Sequence, residues 1–218
     1  MAEQYLADYY ARRANEYDAI YRKPERQNDI RLLAAHLTEL LASRSVLEIA
    51  CGTGFWTQFF APGSTFVTAT DYNDDVLRIA KQRLSCLANV CVKQADAFAL
   101  DGLGLDFDCG YAGFWWSHLE KAKIRPFLRE FHSALRPGSR VIFTDNLYVE
   151  GSSTVVSRTD NDGNTFQFRK LADGRQYEIL KNFPTESEFR EAVGESGVDI
   201  HFKKLAYFWC GWYETSRG

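Results

Sequence analysis

The chain has 218 residues and a formal net charge of -3, enough length for one well-buried α/β core and little for a second. Its composition is 45% hydrophobic and 25% charged, without a broad basic surface, so a nucleic-acid partner is not expected. No stretch is long and apolar enough to cross a bilayer, and the first residues lack the apolar core of a signal peptide, so we expect a cytoplasmic protein. The five cysteines are scattered and form no CxxC pair, so no metal site is expected.

The N-terminal region is predicted to be helical. Within residues 1–24, tyrosines recur at spacings of three or four residues in places, so several of them can share one helical face. From Arg26 to Ala42 the pattern predicts an amphipathic helix. Its apolar side comprises Ile30, Leu33, Leu37, Leu40 and Leu41.

The middle of the chain alternates between strands and helices. A short apolar run over Ser45–Ala50 is typical of a strand that is buried on both faces. Single helical segments between strands indicate right-handed βαβ units and a parallel sheet. The predicted elements that follow are a helix after Gly54, strand Thr65–Asp71, helix Asp74–Ala88, strand Val90–Gln94, strand Phe107–Ala112, helix Glu120–Leu135 and strand Arg140–Asn146.

The last third has a different pattern. The segments TFQFRK and YEILKNF alternate in hydrophobicity on either side of an Asp-Gly turn, which predicts a β-hairpin inserted after the fifth strand. The pattern Thr185-x-x-Glu188 predicts a capping box that opens a helix through Val193. We predict one long last strand over His201–Tyr213.

The segment VLEIACGTGFWT places Gly52 and Gly54 directly after the first predicted strand. Glycine lets the main chain approach a ligand with no Cβ in the way, and the following helix offers unpaired N–H groups. A dinucleotide-binding fingerprint requires a third glycine three residues past Gly54, where this chain has Thr57. An ordinary tight turn remains an alternative for the two glycines alone.

Two acidic residues end the next two predicted strands. Asp71 is suited to accept both hydroxyls of a ribose, and Asp96 is suited to accept from the exocyclic amine of an adenine. The backbone N–H of Ala97 would then donate to a ring nitrogen. Each acid could instead serve as a strand-end turn or helix cap. However, the carboxyl ends of parallel strands are where ligands bind in open α/β sheets.

These motifs, together with LRPGSRVIFTDN at 135–146, resemble a class I S-adenosylmethionine-dependent methyltransferase over roughly residues 5–213. The chain looks closest to the small-molecule branch around the ubiquinone and menaquinone methyltransferases. It departs from the amino-methylating nucleic-acid enzymes, because YAGFWWSH at 111–118 stands where they carry an Asn/Asp-Pro-Pro-aromatic run. The resemblance implies a single Rossmann-like α/β domain whose mostly parallel seven-stranded sheet has an antiparallel last strand.

The resemblance implies a division of residues 1–218 and a set of cofactor contacts. The division is a helical cap (1–42), a cofactor-binding core (43–150), an inserted hairpin or lid (151–183) and a closing helix and strand (184–218). Glu48 would order the glycine loop near the methionine amino group, and Gly52 and Gly54 would line the methionine and ribose. The further cofactor contacts that it implies are Tyr10, Arg13, Tyr21, Ala50, Asp71, Tyr72, Asp96, Ala97 and Phe114.

Methyl transfer from a sulfonium is an in-line displacement that depends mainly on alignment and exclusion of water. A sulfonium favours aromatic faces, and Phe114, Trp115 and Trp116 follow the fourth predicted strand. We therefore expect Trp115 and Trp116, with Tyr17, to contact the acceptor. The alternative is that one or two of these rings pack under the adjacent helix.

His118 is the candidate general base, because an ordinary histidine pKa of about 6.5 suits proton removal near neutral pH. A capping or structural role is its alternative. Asn146, at the end of the fifth predicted strand, is a second candidate for contact with the substrate.

The inserted hairpin and the YFWCGWY segment at 207–213 are expected to roof the pocket, which favours an apolar or aromatic small-molecule acceptor. Trp209 and Trp212 cannot face the same side of one strand, so at least one of them is expected in the core. We expect a monomer or homodimer.

Two other enzyme classes remain open as alternatives. A protein methyltransferase shares the cofactor but not the substrate. A short-chain dehydrogenase would use the spacing Tyr177-x-x-x-Lys181, but that pair requires a helix, whereas YEILK alternates like a strand. A catalytically silent binding protein is a third possibility, although the chain keeps its glycines and acids.

Overall fold

The computed structural model describes residue 18 and residues 20–104, 106–170 and 174–216. The predicted site residues Tyr10, Arg13 and Tyr17 lie outside the described residues. A 3-10 turn at Pro24–Arg26 leads into helix α1, Gln27–Leu40. The apolar side of α1 is buried as predicted, with Leu37 fully enclosed.

The centre of the molecule is a seven-stranded sheet. Its strands are β1 (Ser45–Ile49), β2 (Phe66–Asp71), β3 (Val90–Gln94), β4 (Phe107–Gly113), β5 (Leu135–Asn146), β9 (Gly197–Lys204) and β10 (Phe208–Thr215). Their order is β3-β2-β1-β4-β5-β10-β9. The strands from β3 to β5 pair in parallel, and β10 runs antiparallel to both β5 and β9. The predicted fold class is confirmed.

Helices cover both faces of this sheet. They are α2 (Thr57–Phe60), α3 (Asp74–Arg83), α4 (Lys121–Ser133) and α5 (Glu186–Val193). On β1, Val46 packs into the apolar cluster beneath α1, α2 and α3, whereas its neighbour Leu47 packs into the cluster beneath α4 and α5. Alternate side chains of this strand therefore enter two cores, which is why Val46, Leu47 and Ile49 are all apolar. Among the described residues, no helix has the length and apolarity needed to span a membrane.

The predicted hairpin insertion after β5 is confirmed. Strands β7 (Thr165–Lys170) and β8 (Gln176–Leu180) pair antiparallel, and a short strand β6 (Arg158–Thr159) joins them in a separate three-stranded sheet. The hairpin is anchored to the loop after β4, because the N–H of Asn182 donates to the carbonyl of Ser117 at 2.8 Å. The predicted capping box at the start of α5 is also present, between Thr185 and Glu188.

The prediction of one long last strand is wrong, since β9 and β10 are separate strands. The chain reverses over residues 205–207, where the N–H of Leu205 donates to the carbonyl of Phe208 at 2.8 Å. This turn contains neither glycine nor proline, and its own residues are apolar or aromatic, so the pattern does not reveal the reversal. Trp209 is fully buried and Trp212 packs on the opposite face between two histidines, as their spacing predicts. The β10 rings are therefore core residues of the sheet and not a roof.

Candidate active site

The glycine loop after β1 has a left-handed backbone at three positions. The φ angles are 55° at Ala50, 56° at Gly52 and 71° at Gly54. A Cβ at Gly54 would lie 2.9 Å from Cδ1 of Leu84, so a larger residue would be both strained and crowded there. The loop thus needs its glycines for backbone conformation and for close packing against the α3 end.

A buried hydrogen bond fixes the two ends of this loop. Oε2 of Glu48, on β1, accepts from the hydroxyl of Thr57, the first residue of α2, at 2.7 Å. Burial raises the pKa of Glu48 to about 8, although the Thr57 hydrogen bond acts in the opposite direction. Thr57 therefore has a specific structural role at the position where a dinucleotide fingerprint has its third glycine.

Asp71 connects the glycine loop to the end of β2. Its Oδ2 accepts from the N–H of Gly52 and its Oδ1 from the N–H of Asn73, both at 2.9 Å. Burial raises the pKa of Asp71 in spite of these hydrogen bonds. Each oxygen retains a further lone pair, so the contact with ribose hydroxyls stays a prediction that this geometry permits. Tyr72, the next residue, is exposed.

The end of β3 carries the second acidic residue. Asp96 is exposed, and its Oδ1 accepts from the N–H of Phe98 at 2.8 Å in a tight turn. Ala97 lies partly buried against the cluster under α4 and α5. The parallel sheet brings the ends of β1, β2 and β3 to one edge, so Gly52, Asp71 and Asp96 lie along the same rim. The adenine contacts of Asp96 and Ala97 stay predictions.

Aromatic side chains form a wall beside the glycine loop. The ring of Tyr21 stacks on Phe55 at 4.0 Å, and the ring of Phe114 stacks on Trp56 at 5.4 Å. Tyr21 and Phe114 meet edge to face at 5.8 Å. Phe114 has a φ of 59°, and a strained backbone at the end of a strand is a feature of functional sites. Faces of this kind suit a sulfonium cation.

Trp115 and Trp116 do not line the cleft beside Phe114, which corrects the prediction that they contact the acceptor. Trp116 is 1% exposed and packs against Phe143 and Phe189 in the core. Trp115 points toward α4, where its ring meets Phe127 at 6.2 Å. Of the three consecutive rings after β4, only Phe114 lines the cleft.

A cleft of about 750 Å³, including the solvent at its mouth, opens beside the aromatic wall. Tyr21 and Phe114 form one side of it, and the inserted hairpin forms the other through Gln167 and Ile179. The inserted hairpin thus contributes to the cleft lining, and its role as a lid stays a prediction. Four basic side chains belong to the lining among the described residues, and they are Lys23, Arg26, Arg169 and Lys181.

His118 lines the cleft, but its environment does not suit a general base. Its Nδ1 lies 2.9 Å from the carbonyl oxygen of Leu180, which can only accept, so Nδ1 carries the proton. Its Nε2 faces Nζ of Lys181 at 3.5 Å. Burial, and then the charge of Lys181, hold the pKa of His118 well below its ordinary value. The ring is thus a neutral, oriented group at neutral pH and a weak base.

Lys181 forms a buried ion pair that the sequence did not reveal. Its Nζ lies 3.1 Å from Oδ1 of Asp145 and 2.5 Å from the hydroxyl of Ser117. Burial alone would raise the pKa of Asp145, but the charge of Lys181 and two backbone N–H donors hold it below its ordinary value. The only signal in the sequence is the spacing Tyr177-x-x-x-Lys181, which belongs here to a strand and not to a helix.

Asn146 lines the cleft, and its contact with the substrate stays a prediction. Its Oδ1 accepts from Nη1 of Arg26 at 3.1 Å, and its backbone N–H donates to Asp145 at 2.7 Å. Arg26 was identified from sequence only as the start of the amphipathic helix. Its partner is 120 residues away in the chain, so no local pattern connects the two.

Comparison with known proteins supports the class that this fold and rim define. Residues 46–138 match a family described as a methyltransferase domain. A malonyl-[acyl-carrier protein] O-methyltransferase of Erwinia pyrifoliae is 32% identical over 71% of this chain and 55% of its own length. A demethylmenaquinone methyltransferase of Staphylococcus aureus is 31% identical over 44% of this chain and 40% of its own. The chain thus spans about half the length of the curated relatives it matches.

Among solved structures, a complex of DhpI with SAM and HEP superposes with a TM-score of 0.77 at 25% identity, covering 97% of each chain. The PH0226 protein of Pyrococcus horikoshii OT3 superposes with a TM-score of 0.73 at 17% identity over 89% of this chain and 93% of its own, which shows the fold alone. The resemblance to class I S-adenosylmethionine-dependent methyltransferases is confirmed. Within that class, the match to a demethylmenaquinone methyltransferase agrees with the small-molecule branch that the motifs indicated.

Proposed function

We propose that this protein transfers the methyl group of S-adenosylmethionine to a small-molecule acceptor, leaving S-adenosylhomocysteine. The observation that carries the proposal is the shared wall: Tyr21 and Phe114 pack against the glycine-loop aromatics on one side and line the cleft on the other. A cofactor on the rim of β1 to β4 and an acceptor in the cleft would then meet at these two rings.

The residues of the rim fit this cofactor. The left-handed loop at Gly52 and Gly54 allows close approach of a ligand, and Asp71 is positioned at the next strand end with spare lone pairs. Held along Gly52, Gly54 and Asp71, S-adenosylmethionine would supply an electrophilic methyl group to the lone pair of the acceptor, with its sulfur as leaving group. The roles of Glu48, Ala50, Tyr72, Asp96 and Ala97 at this rim stay part of the proposal.

The contribution of the chain's own residues is orientation and exclusion of water. Restricting two reactants to an aligned geometry can lower a barrier by about 7–11 kcal/mol in favourable cases. The hairpin covers the cleft, and His118 is fixed by its bond to Leu180. Because His118 is a weak base here, we assign it a positioning role in place of the general base predicted from sequence.

The dehydrogenase alternative is disfavoured by the placement of its two key residues. Tyr177 lies on strand β8 with 6% of its surface exposed, and Lys181 is paired with Asp145. The pair therefore does not share a helical face beside a nicotinamide. We further propose, from composition and the absence of basic runs, a cytoplasmic monomer or homodimer that acts without nucleic acid.

A thermal-shift and calorimetric comparison tests the proposal. S-adenosylhomocysteine is expected to raise the melting temperature, and to raise it further with the logarithm of its concentration above Kd, whereas NADH leaves it unchanged. The Gly54→Val variant, which crowds Leu84, is expected to lose the stabilisation by S-adenosylhomocysteine. Stabilisation by NADH alone would contradict the proposal and indicate an oxidoreductase.

A further inference from the structure

We propose that the acceptor is an anion and that its oxyanion group, of the carboxylate or phosphate type, binds Arg26 in the cleft. This inference rests on the proposed function for the identity of the bound molecule as acceptor. The geometry of the oxyanion site itself stands on the cleft alone.

Arg26 is a buried cation without an ion-pair partner among the described residues. Its side chain is 3% exposed, and no described carboxylate lies within 4 Å of its guanidinium. Its Nη1 donates to Asn146 and its Nη2 approaches the hydroxyl of Ser152 at 3.5 Å, both neutral groups. Its Nε has no hydrogen-bond partner among the described residues. A buried charge in this condition is costly unless a counter-ion completes it.

The nearest acids do not supply that counter-ion. Asp29 is buried on α1, but its Oδ2 accepts from the backbone N–H of Tyr207 at 2.6 Å. Glu25 lies at the surface, 3.9 Å from Lys23. Burial lowers the pKa of Arg26, and the charges of Glu25 and Asp29 only partly offset this effect. The rings of Tyr207 and Phe208 cover the guanidinium at 5.4 and 5.7 Å.

The rest of the lining has the same sign of charge. Lys23 and Arg169 both contact the segment 152–154: Nζ of Lys23 approaches the carbonyl of Ser152, and Nη1 of Arg169 donates to the hydroxyl of Thr154 at 2.6 Å. No aspartate or glutamate occurs among the described residues that line the cleft. Lys181 is already neutralised by Asp145, so it adds a donor and not a net charge.

An arginine fork is well matched to an oxyanion, and a cleft lined by one sign of charge concentrates counter-charged ligands. An apolar acceptor, which the aromatic sequence pattern favoured, would instead leave Arg26 desolvated and uncompensated. The oxyanion would also lie close to Tyr21 and Phe114, on the side where a sulfonium is expected, so that opposite charges meet. Small hydroxyl groups of Ser152, Ser153 and Thr154 offer additional donors.

Isothermal titration with inorganic phosphate and with acetate, each with and without saturating S-adenosylhomocysteine, tests this inference. We expect at least one of the two anions to bind the wild-type protein, more weakly as salt rises. The stronger of the two distinguishes a phosphate-type from a carboxylate acceptor. Arg26→Gln is expected to weaken that binding at least tenfold, and Arg26→Lys, which keeps the charge but not the fork, to weaken it less.

Control variants separate the possible failures. Arg136→Gln, at an exposed arginine paired with Asp106, is expected to leave anion binding unchanged. If Arg26→Gln does not fold, Arg169→Gln replaces it and is expected to weaken binding threefold or more. Unchanged anion affinity in these cleft variants, or no binding of either anion to the wild type, overturns the inference. Anion binding that depends on Arg26 in a protein that ignores S-adenosylhomocysteine would overturn the proposed function and leave the oxyanion site standing.

Discussion

The carboxylate of Glu48 on β1 accepts a 2.7 Å hydrogen bond from the hydroxyl of Thr57 on α2, and the two side chains are 2% and 0% exposed. This contact joins the strand before the glycine loop to the helix after it. A dinucleotide-binding loop at this position would bring helix and strand together through a third glycine. Here a polar pair does so, and the loop between them keeps its left-handed backbone at Gly52 and Gly54.

Replacing Thr57 by valine removes the hydroxyl while keeping the volume. Because Glu48 then loses its hydroxyl donor in a buried position, we expect the free energy of unfolding to fall by about 1–3 kcal/mol. Urea denaturation followed by circular dichroism measures it. Thr57→Ser, which keeps the hydroxyl, serves as the control and is expected to lose less. Equal stability of the valine variant and the wild type would show that the pair does not hold the loop.

Replacing Glu48 by glutamine should change how stability depends on pH. The pKa of Glu48 is about 8 in the folded protein and about 4.5 when unfolded, so the native state binds more protons between these values. This group therefore stabilises the fold at low pH and loses that contribution as pH rises toward 8, by up to about 1.4 kcal/mol per pH unit. Stability relative to Glu48→Gln should fall between pH 5 and 8. A constant difference across that range would mean that Glu48 is ionised throughout.

Replacing Asp71 by alanine tests whether its carboxylate binds the ribose of the cofactor. Its carboxylate holds the N–H of Gly52 and is proposed to bind the ribose, so we expect at least a tenfold loss of S-adenosylmethionine affinity, or about 1.4 kcal/mol. Calorimetry provides the measurement. Asp74→Ala, at an exposed acid three residues further on, is the matched control and should bind normally. Unchanged affinity in Asp71→Ala would remove the ribose assignment.

Replacing His118 by alanine distinguishes positioning from proton transfer. His118 lines the cleft, and its pKa is held far below its ordinary value by burial and by Lys181. We expect kcat to fall more than cofactor affinity, with a ratio of wild-type to variant rates that stays constant from pH 6 to 8. A ratio that rises through pH 6.5 would restore the general-base role. His201→Ala, at a half-buried histidine on β9 that does not line the cleft, is expected to keep the wild-type kcat.

The elements that the sequence predicted well are those with a local cause. Alternation of single helices with apolar strands led directly to the parallel half of the sheet, and the capping residues Thr185 and Glu188 marked the start of α5. The chain reversal between β9 and β10 was not predicted, because its turn lacks glycine and proline. The position of Trp116 was not predicted, because hydrophobicity predicts that a ring is buried but not whether it packs in the core or lines the cleft.

The sequence by itself determined the rim where we propose that the cofactor binds, since glycines and acids at the ends of successive parallel strands must meet at one edge of the sheet. Only the tertiary structure decided the character of the acceptor cleft. Arg26, Lys181 and Asn146 come from a helix start, a hairpin and a strand end, and burial and through-space partners set the environment of the two cations. Desolvation and ion pairing depend on which residues are close in space, so the spacing of residues along the chain does not predict them.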